Sequence, residues 1–197
     1  FSYDITEFLN KDGSENTIAV QVTNKQPSSR WYSGSGIYRD VTLSYRDKVQ
    51  VAENGNHITT PKLAEQKDGN VETQIQSKIK NTAKTLAKVF VEQQIFTKEG
   101  KAVSDLVRSV TKNLAGNEAA DFKQTILVNK PTLWTTKSYH PQLYVLKTKV
   151  YNEGQLVDVT EDTFGYRYFN WTAKDGFSLN GERMKFHGVS IHHDNGA

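Results

Sequence analysis

The sequence contains no cysteine in its 197 residues. Disulfide bridges and thiolate metal sites are therefore excluded, whereas the redox compartment stays open. No apolar run approaches the length of about 20 residues that a membrane-spanning helix requires, so we expect no membrane partner. Blocks of like charge are also lacking, since 25 Lys and Arg are scattered among 22 Asp and Glu. This distribution is typical of solvated faces, and we expect no nucleic-acid partner.

The chain begins FSYDIT, without an initiator methionine or a basic-then-apolar signal region. We therefore expect the natural N-terminus to lie elsewhere. The missing signal leaves open whether the protein is cytoplasmic or secreted.

Alternating strands dominate the middle of the chain. In VETQIQSKIK, every second residue from Val71 to Ile79 is apolar or small, and the residues between them are charged or carry amides. A period of two predicts a strand with one buried face. FKQTILV, from Phe122 to Val128, repeats the pattern, and LAKVFVEQQIF and LYVLKTKVY have strand-like composition.

Turn-forming residues separate these strands, at Asp68-Gly69, KEGK (98–101), Ala115-Gly116-Asn117 and NEG (152–154). Several strands at this spacing predict an all-β fold with an antiparallel β-sandwich over about 48–170. The segment around 104–110 fits either a helix or a strand.

The two flanks differ from the sandwich. Residues 1–47 contain strand-like IAVQVT and VTLSYR around an aromatic and glycine-rich loop, SSRWYSGSGIYRD. In residues 176–197, FSLNG and ERMKFHG predict a hairpin that turns at Asn180-Gly181, and GVSI predicts a short buried strand. The densest group of catalytic residue types, His192, His193 and Asp194, follows directly.

Three separated blocks carry a family resemblance. SRWYSGSGIYRDVTL resembles the end of the N-terminal jelly-roll domain of glycoside hydrolase family 2, and PTLWTTKSYHPQLYVLKTKV resembles the closing strands of that family's immunoglobulin-like second domain. FGYR and GFSLNGERMKFHGVSIHHD resemble the entrance and first strand of its catalytic (β/α)8 barrel, and the ending HHDNGA resembles the bacterial β-galactosidases of the family.

The resemblance implies three parts. Residues 1–47 would be the C-terminal part of a jelly-roll sugar-binding domain, 48–170 a complete immunoglobulin-like sandwich, and 171–197 the entry hairpin and first strand of a truncated barrel. It therefore implies a fragment of a longer enzyme.

Retaining glycosidases of this kind need two carboxyl groups roughly 5–5.5 Å apart. The resemblance implies that both are glutamates on later barrel strands, so we expect no catalytic residue in this chain and no activity from it alone. Asn117-Glu118 matches the Asn-Glu pair of the acid/base only superficially. It lies in a polar turn of the sandwich, and not at the C-terminal end of a barrel strand.

Four residues are candidates for substrate binding. His192 follows GVSI, and the resemblance places it beside the sugar, where it would help to stabilise the transition state; the residues alone favour simple packing at a strand end. Asp194 is expected to orient a neighbouring group or cap a following element. Trp31 is suited to stacking on a sugar and Arg30 to bonding hydroxyls, but we expect packing ahead of ligand contact for Trp31. In some relatives the position of Arg30 is an aspartate that reaches the sugar and a sodium ion, so the resemblance departs there.

We expect no metal ligand and no cofactor in this chain. His192, His193 and Asp194 do not predict a metal site, because neighbours on an extended chain point to opposite sides. The resemblance implies a divalent or monovalent cation in the intact enzyme, held by residues elsewhere.

The resemblance implies an enzyme that hydrolyses terminal β-galactosides, in which the sandwich is an interdomain scaffold. Galactose, glucuronic acid and mannose specificities share these domains, so the sugar stays open. The alternative is a non-catalytic immunoglobulin-like module that binds carbohydrate or protein, which exposed aromatic residues on a sandwich face would indicate. Flanking strands without partners also predict a homodimer through their exposed edges.

Overall fold

A computed structural model of the chain describes residues 2–25, 36–37, 39–137 and 141–190. The described residues fall into two units, of which one is Ser44–Phe186 and the other holds the remainder. Ser44–Phe186 contains all eleven strands of the described residues, and every pairing among them is antiparallel.

The strands belong to three sheets. They are β1 (Val49–Thr59), β2 (Asn70–Asn81), β3 (Ala87–Thr97), β4 (Val107–Arg108), β5 (Lys112–Leu114), β6 (Ala119–Asn129), β7 (Tyr144–Asn152), β8 (Gln155–Phe164), β9 (Phe169–Thr172), β10 (Gly176–Leu179) and β11 (Glu182–Arg183). The first sheet has the order β1-β2-β6, and the second has the order β4-β3-β7-β8 with β5 also paired to β3. These two sheets enclose the core as a sandwich, which confirms the predicted all-β fold class. The third sheet is small, with the order β11-β10-β9.

The period-two alternation in the sequence matches the alternation of buried and exposed residues along the strands. On β2, the inward residues from Val71 to Ile79 are all nearly inaccessible, and β6 buries Phe122, Ile126 and Val128 in the same way. The four predicted turns also lie between strands, and the ambiguous segment 104–110 contains the two-residue strand β4. The sequence did not predict α1 (Leu63–Gln66), a single helical turn whose Leu63 side chain is buried.

A β-bulge in β1 changes which residues face the core. The pairing of β1 with β2 shifts register between Val51 and Asn56, and Asn54 has a positive φ of 50°. Before the bulge Val49 and Val51 point inward, whereas after it the inward residue is Asn56. Gly55 permits this path, because a Cβ there would lie 2.7 Å from the Ala52 carbonyl oxygen.

The core consists of two apolar clusters with polar side chains between them. Along the long strands of the sandwich, the apolar residues on one side of the polar position belong to one cluster, and those on the other side belong to the second cluster. On β3, for example, Val91 belongs to the first cluster and Ile95 to the second. The intervening side chains form what we call the polar layer: Asn56, Ser77, Gln93, Gln124 and Thr148. Gln93, Ser77 and Thr148 are fully buried, and Gln124 is 8% exposed.

A second buried amide ties two turns to each other. Asn81, at the end of β2, donates to the carbonyl oxygens of Thr85, Leu114 and Ala115 and accepts from the Ala83 amide. The turn that follows β5 therefore packs closely on the β2–β3 connection. At that contact a Cβ on Gly116 would lie 2.5 Å from a backbone carbonyl oxygen of Lys84, so only glycine fits.

The predicted strands IAVQVT, VTLSYR and GVSI are not paired in their described residues. In residues 2–25 and 39–47, the regular secondary structure is one turn of 3-10 helix, Thr6–Phe8, and Gly188, Val189 and Ser190 of the predicted GVSI strand are irregular as well. Alternation is present in IAVQVT, but a strand forms only when a neighbour pairs with its backbone. The described residues provide no such neighbour.

Candidate functional site

The four residues predicted to bind substrate, Arg30, Trp31, His192 and Asp194, lie outside the described residues, and their roles stay predictions. Glu118, by contrast, lies where the sequence places it, in an exposed turn. Its carboxylate accepts a hydrogen bond of 2.6 Å from the Ala115 amide, so it caps the turn.

The hairpin that leads toward residue 187 forms as predicted. Asn180 and Gly181 have φ values of 53° and 83°, and Leu179 pairs with Glu182 across the turn, which is the geometry that favours an Asn-Gly sequence. The Asn180 side chain accepts from the Tyr168 amide and donates 2.8 Å to the carbonyl oxygen of Trp134. The same residue thus forms the turn and anchors the hairpin to the loop before β7.

A cluster of exposed aromatic side chains covers one face of the β9–β10–β11 sheet. This aromatic face consists of Phe169, Trp171, Phe177 and Phe186. The Phe177 ring lies 4.6 Å from that of Phe186 and 5.7 Å from that of Trp171. Three of the four side chains remain about two-thirds exposed: Phe169 at 70%, Trp171 at 67% and Phe186 at 64%.

The aromatic face has a functional meaning. Within this chain the Trp171 ring is mostly open to solvent. The spacing of Phe169 and Trp171 on one strand face could have signalled the cluster. Contiguous exposed apolar surface of this kind marks an interaction surface.

The junction between sandwich and small sheet is closely packed. Tyr166 is fully buried against Tyr144, and its hydroxyl hydrogen-bonds the Thr73 hydroxyl at 2.8 Å. Burial raises the pKa of Tyr166 well above its ordinary value, and the Thr73 hydrogen bond opposes this only in part. Trp134 packs against Gly165, where an added Cβ would lie 3.0 Å from the Trp134 Cβ.

In the polar layer, hydrogen bonds form a chain in which each side chain donates to the next. Gln124 Nε2 donates to Gln93 Oε1 at 2.7 Å, and Gln93 Nε2 donates to both Ser77 and Thr148 at 2.9 Å. Ser77 donates to Asn56 Oδ1 at 2.5 Å, and Asn56 Nδ2 donates to a carboxylate oxygen at 2.7 Å. That final acceptor belongs to Asp162 on β8. The chain therefore crosses the sandwich and ends on an anion, which is the strongest acceptor available to it.

At the opposite end, Gln124 Oε1 is buried and has no hydrogen-bond partner. Its Nε2 is fixed by Gln93, so the amide cannot turn over without losing that bond. Sequence reasoning had placed Ser77 and Gln124 on the inward side of their strands. It could not find the network, because its other members come from strands distant in sequence.

Other kinds of site are not found in the described ranges. No group of three or more His, Asp or Glu side chains within them could hold a metal ion. No helix among the described residues is long and apolar enough to span a membrane. Between 48 and 168, every described Phe, Tyr and Trp side chain is buried or half-buried.

Comparison with known proteins gives the family. The family model of glycosyl hydrolases family 2 matches residues 55–167. A β-galactosidase of Bacteroides ovatus, BoGH2A, is 38% identical over 197 residues, covering 100% of this chain and 22% of that protein. A β-glucuronidase of Formosa agariphila is 29% identical over 213 residues, covering 95% of this chain and 20% of that protein.

A solved structure agrees with these matches. The crystal structure of a glycosyl hydrolase family 2 member from Bacteroides cellulosilyticus superposes with a TM-score of 0.77 at 31% identity, covering 89% of this chain and 23% of that chain. The chain thus spans about a fifth of the length of the relatives that it matches. The family model covers more than half of the chain, and the chain belongs to glycosyl hydrolases family 2.

Proposed function

We propose that the protein carrying this chain is a retaining glycosidase that hydrolyses terminal β-galactosides. The observation that carries the proposal is the 38% identity to a β-galactosidase along the whole chain. The fold is consistent with it, since the sandwich is followed by the Asn180-Gly181 hairpin that precedes the predicted first barrel strand.

A β-glucuronide is the competing substrate, because a relative of 29% identity is a β-glucuronidase. The two substrates differ at C6, where glucuronides carry a carboxylate and galactosides a hydroxymethyl group. A glucuronide site therefore needs a cation or several donors at that point, and a galactoside site does not.

The chemistry of retention requires an acid/base and a nucleophile, both carboxyl groups. We propose that neither is in this chain, and that His192 contributes from the rim of the barrel by donating a hydrogen bond to a hydroxyl of the bound sugar. Arg30, Trp31 and Asp194 are proposed to support the same pocket. The mechanical role of the chain is to hold the jelly-roll and barrel parts at a fixed spacing.

We propose that the aromatic face packs against the rest of the enzyme. Three side chains that are about two-thirds exposed in this chain would then become buried. At about 25 cal/mol per Å², burial of each ring would contribute on the order of 1–3 kcal/mol. A homodimer of this chain through the same face, or through the unpaired flanks, is the outcome expected when the rest of the enzyme is missing.

The test is to express the full-length natural protein and assay it on p-nitrophenyl β-D-galactoside and p-nitrophenyl β-D-glucuronide. We expect the galactoside to be favoured in kcat/KM by about 100-fold or more, which corresponds to about 3 kcal/mol. His192→Ala should lower kcat/KM by about 100-fold, as the loss of one donor to the transition state does. Glu118→Gln is the matched control and should leave activity unchanged. Turnover by the 197-residue chain alone would refute the placement of the carboxylates.

A further inference from the structure

The segment through which the chain enters the sandwich is bound at almost every residue. The larger unit begins at Ser44 and β1 begins at Val49, and between them Tyr45 is 99% exposed. From Arg46 to Val51, by contrast, every residue takes part in at least one hydrogen bond. A flexible linker at a boundary makes few such contacts, so this entry segment, residues 46–51, is not one.

Arg46 contacts both sheets of the sandwich. Its guanidinium donates to the Val51 carbonyl oxygen on β1 at 3.1 Å and lies 3.5 Å from a carboxylate oxygen of Asp158 on β8. The same oxygen of Asp158 accepts from the Val51 amide at 2.9 Å. Since β1 and β8 belong to different sheets, these three residues join the entry segment to both of them.

The ion pair of this group is less accessible than the others among the described residues. The Asp158 side chain is 7% exposed, whereas the carboxylate side chains of the other four described salt bridges are between 30% and 87% exposed. Solvent screens an exposed pair strongly and a buried pair much less. Loss of Arg46 would also leave a buried carboxylate without its cation, which is unfavourable.

Two neighbours of Arg46 hold the direction of the backbone. The Lys48 carbonyl oxygen accepts from both the amide and the hydroxyl of Thr82, at 2.8 and 3.1 Å. Asp47 Oδ1 accepts from the Val49 amide at 3.3 Å, and the Asp47 carbonyl oxygen accepts from Gln50 Nε2 at 2.7 Å. The entry segment is therefore fixed along its length, and not only where Arg46 binds.

We infer that Arg46 is a positioning residue that anchors the preceding part of the chain to the sandwich and confines any hinge to residues before 46. Because Arg46 binds β1 and β8 together, a force on the chain before it is shared by both sheets. The inference rests on the mechanical role proposed above, since a spacer between two parts of an enzyme needs joints that do not pivot.

Protection of the sheet edge is the competing interpretation. A strand added to β1 would pair with the amide and carbonyl groups of Val51, which Asp158 and Arg46 already occupy. Edge protection does not account for the contacts of Lys48, because Thr82 follows β2 and lies on the paired side of β1. The anchor explains both sets of contacts.

The experiment is hydrogen–deuterium exchange of the 197-residue chain, followed by mass spectrometry in peptides that cover residues 44–51. Arg46→Ala should speed exchange there by about tenfold, and Arg46→Lys by only about threefold because lysine keeps the charge. Arg183→Ala is the matched control, since this exposed side chain forms no hydrogen bond or salt bridge with a described residue, and it should change exchange by less than about twofold. Chymotrypsin cleavage after Tyr45 should accelerate in Arg46→Ala alone.

A double variant tests whether Arg46 acts through Asp158. Asp158→Asn keeps an acceptor for the Val51 amide but removes the charge, and it should speed exchange by about fivefold. Combined with Arg46→Ala it should add less than about twofold to the effect of Arg46→Ala, because the two residues act as a pair. If Asp158→Asn does not fold, as judged by circular dichroism, the comparison of Arg46→Ala with Arg46→Lys decides the question.

Several results would overturn the anchor. They are unchanged exchange in Arg46→Ala, equal acceleration in Arg183→Ala, or additive effects in the double variant. An oligomer of Arg46→Ala larger than that of the wild-type chain by light scattering, without faster exchange at 44–51, would favour edge protection instead. None of these measurements involves catalysis, so failure of the proposed galactosidase activity and failure of the anchor are seen separately.

Discussion

Replacing Gln93 by leucine should destabilise the sandwich by about 2–3 kcal/mol, although leucine is the more hydrophobic residue. The Gln93 side chain is fully buried and takes part in three hydrogen bonds, with Ser77, Thr148 and Gln124. Each is worth about 1 kcal/mol net, and the buried donor left on Gln124 costs a further fraction of its desolvation. Burial of the added apolar surface of leucine offsets part of that loss.

The assay is urea unfolding followed by tryptophan fluorescence and far-ultraviolet circular dichroism, from which the change in the free energy of unfolding is obtained. Gln94→Leu is the matched control, since Gln94 is the next residue on β3, faces the other way and makes one side-chain hydrogen bond, to Ser104. We expect it to cost less than about 1 kcal/mol.

The double variant Gln93→Leu with Gln124→Leu separates the loss of hydrogen bonds from the loss of packing. Because both partners of the 2.7 Å hydrogen bond are then apolar, no donor or acceptor of that pair is left unsatisfied. The double variant should be more stable than the sum of the single changes predicts by about 1–2 kcal/mol. A single-variant cost below about 0.5 kcal/mol, the range of ordinary surface changes, would refute the role of the polar layer.

Three further changes test other parts of the fold by the same unfolding assay. Gly116→Ala should cost about 2 kcal/mol or more, because its Cβ would lie 2.5 Å from a backbone carbonyl, whereas Gly69→Ala, with 3.8 Å of room, should cost less than about 1 kcal/mol. Because its pKa is raised, Tyr166 stays protonated in the folded state at pH values where the unfolded tyrosine, with a pKa of about 10, ionises. The free energy of unfolding should therefore be unaffected by ionisation of Tyr166 below pH 10 and should fall above it, by about 1.4 kcal/mol at pH 11. Tyr166→Phe should remove that part of the alkaline loss, and an identical pH dependence in the variant would contradict the assignment. Asp158→Ala should cost about 1–3 kcal/mol because it leaves the buried Val51 amide without its acceptor at 2.9 Å, and a cost below about 0.5 kcal/mol would contradict this.

The parts of the fold that the sequence predicted are those specified by local pattern. The alternation along β2 and β6 identified their buried faces, and Asn180-Gly181 identified a hairpin, because side-chain period and turn conformation depend on neighbouring residues only. The candidate site residues came from a different source. His192 and Arg30 were selected by resemblance to a family, and the described residues do not include them.

The features that the sequence did not predict depend on distant residues. Asn56 faces the core only because the bulge at Asn54 and Gly55 changes which alternate residues of β1 point inward. The alternation before the bulge does not indicate that change. Trp171 is exposed because the described chain supplies no surface to cover it. Its spacing relative to Phe169 predicts that the two rings share a face, but whether that face is buried depends on what packs against it.

The polar layer has a consequence for the alignment of the two sheets. Above and below it, the core is mostly apolar, and apolar side chains alone would discriminate weakly against a slip of one sheet by two residues along its strands. Such a slip would move Gln93 from its position opposite Ser77 and Gln124 to one opposite the isoleucine or phenylalanine residues two positions away. Buried amide groups would then be left unpaired at about 1–3 kcal/mol each. The polar side chains therefore penalise the wrong alignment more than they stabilise the right one. Hydrophobic burial alone does not provide that discrimination.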